Sequence, residues 1–167
     1  MIKKNEKIAD IGTDHAYLPA FLITSGICNE AIASDVVPGP LENAKKIIKK
    51  ENLEEKIKLF LSNGLDEYQK DDADVFIFAG MGGTLITELL EKTDWIKDEH
   101  IRFVFQPMSH CEDIIKFLCD NGFEIEDQKA CLDNGKYYTA FSARYTHSAI
   151  SFFPTMESGA CINSRNL

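Results

Sequence analysis

The chain has 167 residues, of which 44% are hydrophobic and 27% charged, and its net charge is −9. That length fits one domain whose core can hold without disulfides or a structural metal. The acidic balance excludes wrapping of duplex DNA by bulk electrostatics, and no apolar run approaches the roughly 18 residues of a membrane span. The start, Met1 to Lys7, has a basic flank but lacks the apolar stretch and cleavage site of a signal peptide. Five cysteines, at 28, 111, 119, 131 and 161, form no C-x-x-C pair. An odd, unpaired set indicates reduced thiols, hence a cytoplasmic setting, with neither a disulfide framework nor a zinc site.

The predicted elements alternate from the start. Residues 7–11 read as a strand, and "GTDHAYLP" turns it into a helix from His15 to Ser25, stopped by Gly26. "EAIASD" (30–35) is a second strand closing on Asp35, and Pro40 opens a helix to about Asn52. That helix carries Lys45, Lys46, Lys49 and Lys50, read either as a solvated face or as a local patch for RNA. "KIKLFL" (56–61) is a third strand, followed by the turn "SNGL". "DADVFIFAG" (72–80) is an apolar run of the kind buried on both faces. "MGGTLITELLEK" (81–92) is helical, "IRFVFQPM" (101–108) is a strand and residues 110–121 are a helix. Residues 123–132 and 136–145 flank Asp133-Asn134-Gly135 as a hairpin.

Strands alternating with helices predict a mostly parallel sheet with helices on both faces. A seven-stranded sheet ending in an antiparallel hairpin is the Rossmann-like α/β arrangement of class I methyltransferases. The domain is expected over residues 1–145, with an irregular tail at 146–167 that contains Phe152 and Phe153.

In an open α/β sheet, ligands bind over the carboxyl ends of the strands. Five polar or glycine turns fall there: Asp10-x-Gly12, Asp35-Val36, Asn63-Gly64-Leu65, Gly80-Met81-Gly82-Gly83 and Gln106-Pro107-Met108. Asp35 is placed to accept the hydroxyls of a ribose, unless it only satisfies turn amides. Gly12 permits close approach of backbone to a ligand. A dinucleotide fingerprint would have a second glycine where Asp14 stands, and a pyrophosphate would meet that carboxylate. A cationic cofactor is the better guest, and S-adenosyl-L-methionine carries a sulfonium and an ammonium but no phosphate. Asp10 could then hold the ammonium; Asn63 could bond the adenine edge and Leu65 cover its face. His15 and Tyr17 are open to two readings, as structural side chains or as groups facing the pocket. The histidines show no metal-ligand spacing, and no G-x-S-x-G nucleophile motif occurs.

The stretches "ADIGTDHAYLPAFL", "ASDVVPGPLENAK", "SNGLDEY", "FAGMGGTLI" and "FQPM" together resemble the TrmK family of bacterial tRNA (adenine-22-N1)-methyltransferases. The resemblance covers residues 7 to 141. It implies methyl transfer from S-adenosyl-L-methionine to adenine N1 in tRNA, with Asp14 as the catalytic residue. Carried over by motif, Asp10, Gly12, Asp35, Val36, Asn63, Gly64, Leu65 and Gly80 would bind cofactor. His15, Tyr17, Met81, Gly82, Gln106, Pro107 and Met108 would bind substrate. Relative to the family, the chain is expected to lack the leading helix and the C-terminal helical domain. The alternatives are a cofactor-binding remnant without tRNA methylation, or a small-molecule or nicotinamide-binding Rossmann-like protein.

Overall fold

A computed structural model describes residues 1–147. The elements are β1 (Ile8–Ile11), α1 (Tyr17–Thr24), β2 (Ala31–Asp35), α2 (Pro38–Lys50), β3 (Ile57–Leu61), β4 (Val75–Ala79), α3 (Gly83–Glu91), β5 (Arg102–Gln106), α4 (Cys111–Asp120), β6 (Phe123–Asp133) and β7 (Lys136–Tyr145). A single 3-10 turn, Asp94–Ile96, precedes β5 and was not legible in the sequence. The expected irregular tail from residue 148 onward, with Phe152 and Phe153, lies outside the described residues.

The seven strands form one sheet in the order β3-β2-β1-β4-β5-β7-β6. β1 to β5 run parallel, while β7 is antiparallel to both β5 and β6. Alternate side chains of each strand go to opposite faces, as the two-residue period requires. Ala9, Ile11, Phe76, Phe78, Phe103 and Phe105 pack beneath α3 and α4 with Ile86, Leu90, Ile114 and Leu118. Ile8, Ala31, Ala33, Val75 and Ile77 pack beneath α1 and α2 with Ala20, Ile23, Ala44 and Ile48. Phe103 and Phe105 stack on each other at 6.1 Å, and Phe105 meets Phe141 of β7 at 5.3 Å. The hairpin is thereby tied into the first core.

Two helix starts depart from expectation for local reasons. α1 begins at Tyr17 and not at His15, because Ala16 has a left-handed backbone, φ 56°. α2 begins two residues before Pro40, at Pro38, because the fixed ring torsion of proline suits a first helical turn.

The far end of the sheet is pinned by a buried arginine. Arg102 on β5 lies opposite Arg144 on β7, a like-charge pair that would repel. The β6 register skips Glu126, which bulges between Ile125 and Asp127. That bulge turns the Glu126 carboxylate onto both arginines, at 3.0 Å from each Nε. Glu6 adds a second carboxylate, 2.8 Å from Arg102 Nη1. Arg102 is 4% exposed, so removing its charge strands Glu6 beside an apolar stem and leaves Glu126 to Arg144 alone. Arg102→Met is expected to lose roughly 2–3 kcal/mol in urea melts. Lys116→Met, which breaks only an exposed pair on α4, should leave the urea midpoint unchanged.

Candidate active site

The five parallel strands end along one edge, and the register aligns their last residues: Ile11 with Ser34 and Phe78, Asp35 with Leu61, Ala79 with Gln106. The order reverses between β1 and β4, the switch point where open α/β sheets bind ligands. The turns after these two strands meet there. Gly12 has φ 75°, and a Cβ built on it would lie 3.1 Å from the Met81 sulfur. The backbone angle favours glycine there, and a Cβ would also require the Met81 side chain to shift. The Gly12 and Thr13 amides donate to the Ser34 carbonyl at 2.9 and 2.8 Å, joining the turn to β2.

Asp10 forms the floor. It is 5% exposed, and the Thr13 hydroxyl donates to its Oδ2 at 2.6 Å. Burial pushes the Asp10 carboxyl up from 3.8 to about 6, opposed in part by that bond. Thr13 is the site residue that the sequence reading missed; its signal is a hydroxyl three residues after an acid across a glycine turn. Deeper still, Tyr68 is buried in the core, and burial raises its hydroxyl further above its ordinary value of 10.0.

The next residues turn outward. Asp14 and Ala16 are left-handed, with φ 47° and 56°. An alanine in that region is strained, and strain of this kind concentrates at functional turns. Asp14 is exposed, with its Oδ2 3.5 Å from His15 Nε2. The His15 ring in turn lies 5.3 Å from the Tyr17 ring. Asp14, His15 and Tyr17 therefore form one exposed surface at the mouth of the turn; Tyr17 is not a core tyrosine, at 62% exposed.

Asp35 closes β2, where its Oδ1 accepts the Val37 amide at 2.9 Å, engaging one of its two carboxylate oxygens. Val36 is exposed beside it. Asn63 is exposed and donates to Asp66 at 3.1 Å. Leu65 differs from expectation: its side chain is 2% exposed within the core beside Leu89, so it covers no ligand face, and only its backbone stands at the site. On the far side, Gln106 accepts the Gly80 amide through its carbonyl oxygen at 3.0 Å and through its Oε1 at 3.2 Å. The Met108 amide donates to the Met81 carbonyl at 2.9 Å, and Gly82 pairs with Ser109. Pro107 is half-buried, whereas Met108 is fully presented to solvent. Gly83 is needed for packing: a Cβ there would fall 2.0 Å from the His110 carbonyl oxygen. Among the described residues, no group of three or more His, Cys, Asp or Glu could hold a metal ion.

Carboxylates on β1 and β2, a glycine turn at the switch point and the reversed terminal hairpin define a Rossmann-like methyltransferase domain. A family profile described as "Methyltransferase domain" matches residues 1–141. The tRNA (adenine(22)-N(1))-methyltransferase of Bacillus subtilis is 33% identical over 136 residues, 81% of this chain and 57% of that protein. A Streptococcus pneumoniae protein crystallised with S-adenosyl-L-methionine is 34% identical, with TM-score 0.82 over 90% of this chain and 71% of that one. Mycoplasma capricolum TrmK, crystallised with S-adenosyl-homocysteine, is 27% identical, with TM-score 0.79 over 92% of this chain and 68% of that one. The chain belongs to the TrmK family. It spans little more than half the length of the B. subtilis relative.

Asp10 also sets a stability profile. A carboxyl raised in the folded state stabilises the fold most below its unfolded value, near 3.8, and that contribution is lost as pH rises through about 6. Asp10→Asn is therefore expected to be the more stable protein above about pH 6. The gain should be roughly 2–3 kcal/mol at neutral pH and shrink towards zero in acid. Thermal melts of both proteins across that range check it.

Proposed function

We propose that the chain is the catalytic domain of a cytoplasmic tRNA (adenine-N1)-methyltransferase that uses S-adenosyl-L-methionine, with position 22 of tRNA as its target. The observation that carries this reading is the meeting of the Gly12 and Met81 turns at the β1/β4 switch point, with Asp10 on β1 and Asp35 closing the adjacent β2. Among the described residues, no helix is long and apolar enough to cross a membrane, consistent with a cytoplasmic enzyme.

The residues present fit the cofactor. Lysine and arginine are missing from all five strand-end turns, which suits a sulfonium and an ammonium and not a phosphate. Asp10 would hold the ammonium end, the open oxygen of Asp35 the ribose, and Asn63 with the Gly64 and Leu65 backbone the adenine. Gly12 and Gly80 would let the main chain approach closely. When bound, S-adenosyl-L-methionine supplies a methyl group made electrophilic by the sulfonium.

Adenine N1 carries a lone pair and attacks without prior deprotonation. The base gains a positive charge as the N1–methyl bond forms. Asp14, at the exposed mouth, is the carboxylate placed to stabilise that charge and to accept a hydrogen bond from the N6 amino group. His15, Tyr17, Met81, Gly82, Gln106, Pro107 and Met108 would surround the base. N1 sits on the Watson–Crick edge, so the adenine must leave its pair to reach the site.

Exposure decides how much Asp14 contributes. Two charges about 4 Å apart interact by about 1 kcal/mol in water and about 4 kcal/mol at a partly desolvated surface. Asp14 is 75% exposed, so its effect depends on the base covering it. Asp14→Asn is expected to lower kcat on unmodified tRNA about 100-fold while leaving S-adenosyl-homocysteine affinity unchanged. Near-parental turnover would remove Asp14 from the mechanism. Asp35→Ala should weaken S-adenosyl-homocysteine about 10- to 100-fold in calorimetry, the loss of a charged pair of hydrogen bonds. Unchanged affinity would move the ribose elsewhere.

A further inference from the structure

α1 and α2 leave a groove between them on the outer side of the sheet, starting at Tyr17 beside the mouth of the site. Tyr17, Ala20, Phe21 and Thr24 line one wall; Ile47, Lys50 and Glu51 line the other. It encloses about 200 Å³. Cavities that engulf a drug-sized molecule hold roughly 300–1,000 Å³, so this one suits a flat group lying on its surface. Phe21 is 61% exposed and Tyr17 62%. Neighbouring aromatics on one helix face, each left that open, are not explained by the core.

Two observations identify the occupant. The first is charge: α2 carries Lys45, Lys46, Lys49 and Lys50 against one acid, Glu42, on a chain of net charge −9. Some of that charge is engaged, since Lys45 pairs with Glu42 and Lys50 lies 3.9 Å from Glu51. All four lysines are nonetheless exposed or at the surface, so α2 is a basic island in an acidic protein. The second is continuity. Tyr17 lines the groove and also faces the His15 ring, which contacts Asp14. An aromatic path thus leads from the catalytic mouth onto Phe21.

We infer that the α1/α2 groove docks the RNA next to the target adenine, one unpaired base stacking on Phe21 while its phosphate meets Lys50. The inference rests on the tRNA methylation reading and extends it. A flipped adenine leaves its neighbours unstacked, and an exposed aromatic beside a cation is the usual platform for such bases. Stacking also explains how an acidic chain could engage RNA without a broad basic surface.

The test uses the full 167-residue chain, unmodified in vitro transcribed tRNA and filter binding across a salt series. Phe21→Ala should weaken tRNA about tenfold, with Phe21→Tyr restoring it. Lys50→Gln should reduce the salt slope by about 0.7–0.9. Calorimetry with S-adenosyl-homocysteine should be unchanged in all three. Parental tRNA affinity in both Phe21→Ala and Lys50→Gln overturns the groove and leaves the methyltransferase reading standing. A parent chain that binds S-adenosyl-homocysteine but no tRNA overturns both. A Phe21→Ala protein that sediments differently from its parent yet binds tRNA equally well makes the groove a contact between copies, and overturns the proposal.

Discussion

Everything at the functional edge hangs on two amide bonds. The consecutive N–H groups of Gly12 and Thr13 both donate to the Ser34 carbonyl, so the turn after β1 is stitched to the last residues of β2. With that stitch in place, Asp10 and Asp35 are held at fixed positions along one edge. Thr13 is also brought back over Asp10. The backbone can follow this path because glycine accepts φ 75° at position 12 and leaves the Met81 thioether room against the turn. One carbonyl accepting twice therefore fixes the β2 side of the turn, whose other side faces β4 where the strand order reverses.

The same turn holds features that stability alone would remove. Asp10 is buried in a setting that disfavours its charge, and Ala16 occupies a backbone region where alanine is strained. Each costs the fold free energy, and each shapes the site: the first puts an ionisable acid at the floor, the second ends the turn so that Asp14 faces outward. The rest of the molecule compensates with a continuous aromatic core under α3 and α4 and with the arginine cluster at the opposite end of the sheet. Strain at one edge and tight packing elsewhere is the balance expected where geometry serves a ligand.

Much of this was legible in the sequence, for physical reasons that differ by residue. The strands were readable because β4 and β5 are unbroken apolar runs, and the turns because glycines mark them. Gly12, Gly80 and Gly82 were picked out as backbone features, and the structure gives each its place. Side-chain direction was less accessible. Leu65 looks like an exposed turn residue in "SNGL", yet the chain at Gly64 bends so that Leu65 enters the core. Tyr17 could be read either way, since its exposure depends on the left-handed Ala16 that delays α1. The Glu126 bulge was out of reach, because it answers a repulsion between arginines 42 residues apart, Arg102 and Arg144, that meet only when the sheet forms. Thr13 belongs to the same class: its value lies in a contact with Asp10, which no periodicity reports.

Charge distribution links the site to its proposed substrate. A strongly basic protein binds any nucleic acid through phosphate neutralisation and gains little discrimination from it. This chain is acidic overall, and α2, with four lysines against one acid, is a local exception, so RNA approaching the surface at large meets net repulsion. Affinity must then come from contacts that require a particular shape, an extruded base and a free neighbour. The exposed carboxylate of Asp14 works in the same direction. In open water its field is weak, and under the proposed function it would strengthen only when the adenine excluded solvent from the turn. Binding and catalysis would therefore depend on the same event, the seating of an unpaired base. An RNA that merely touches the surface would gain neither.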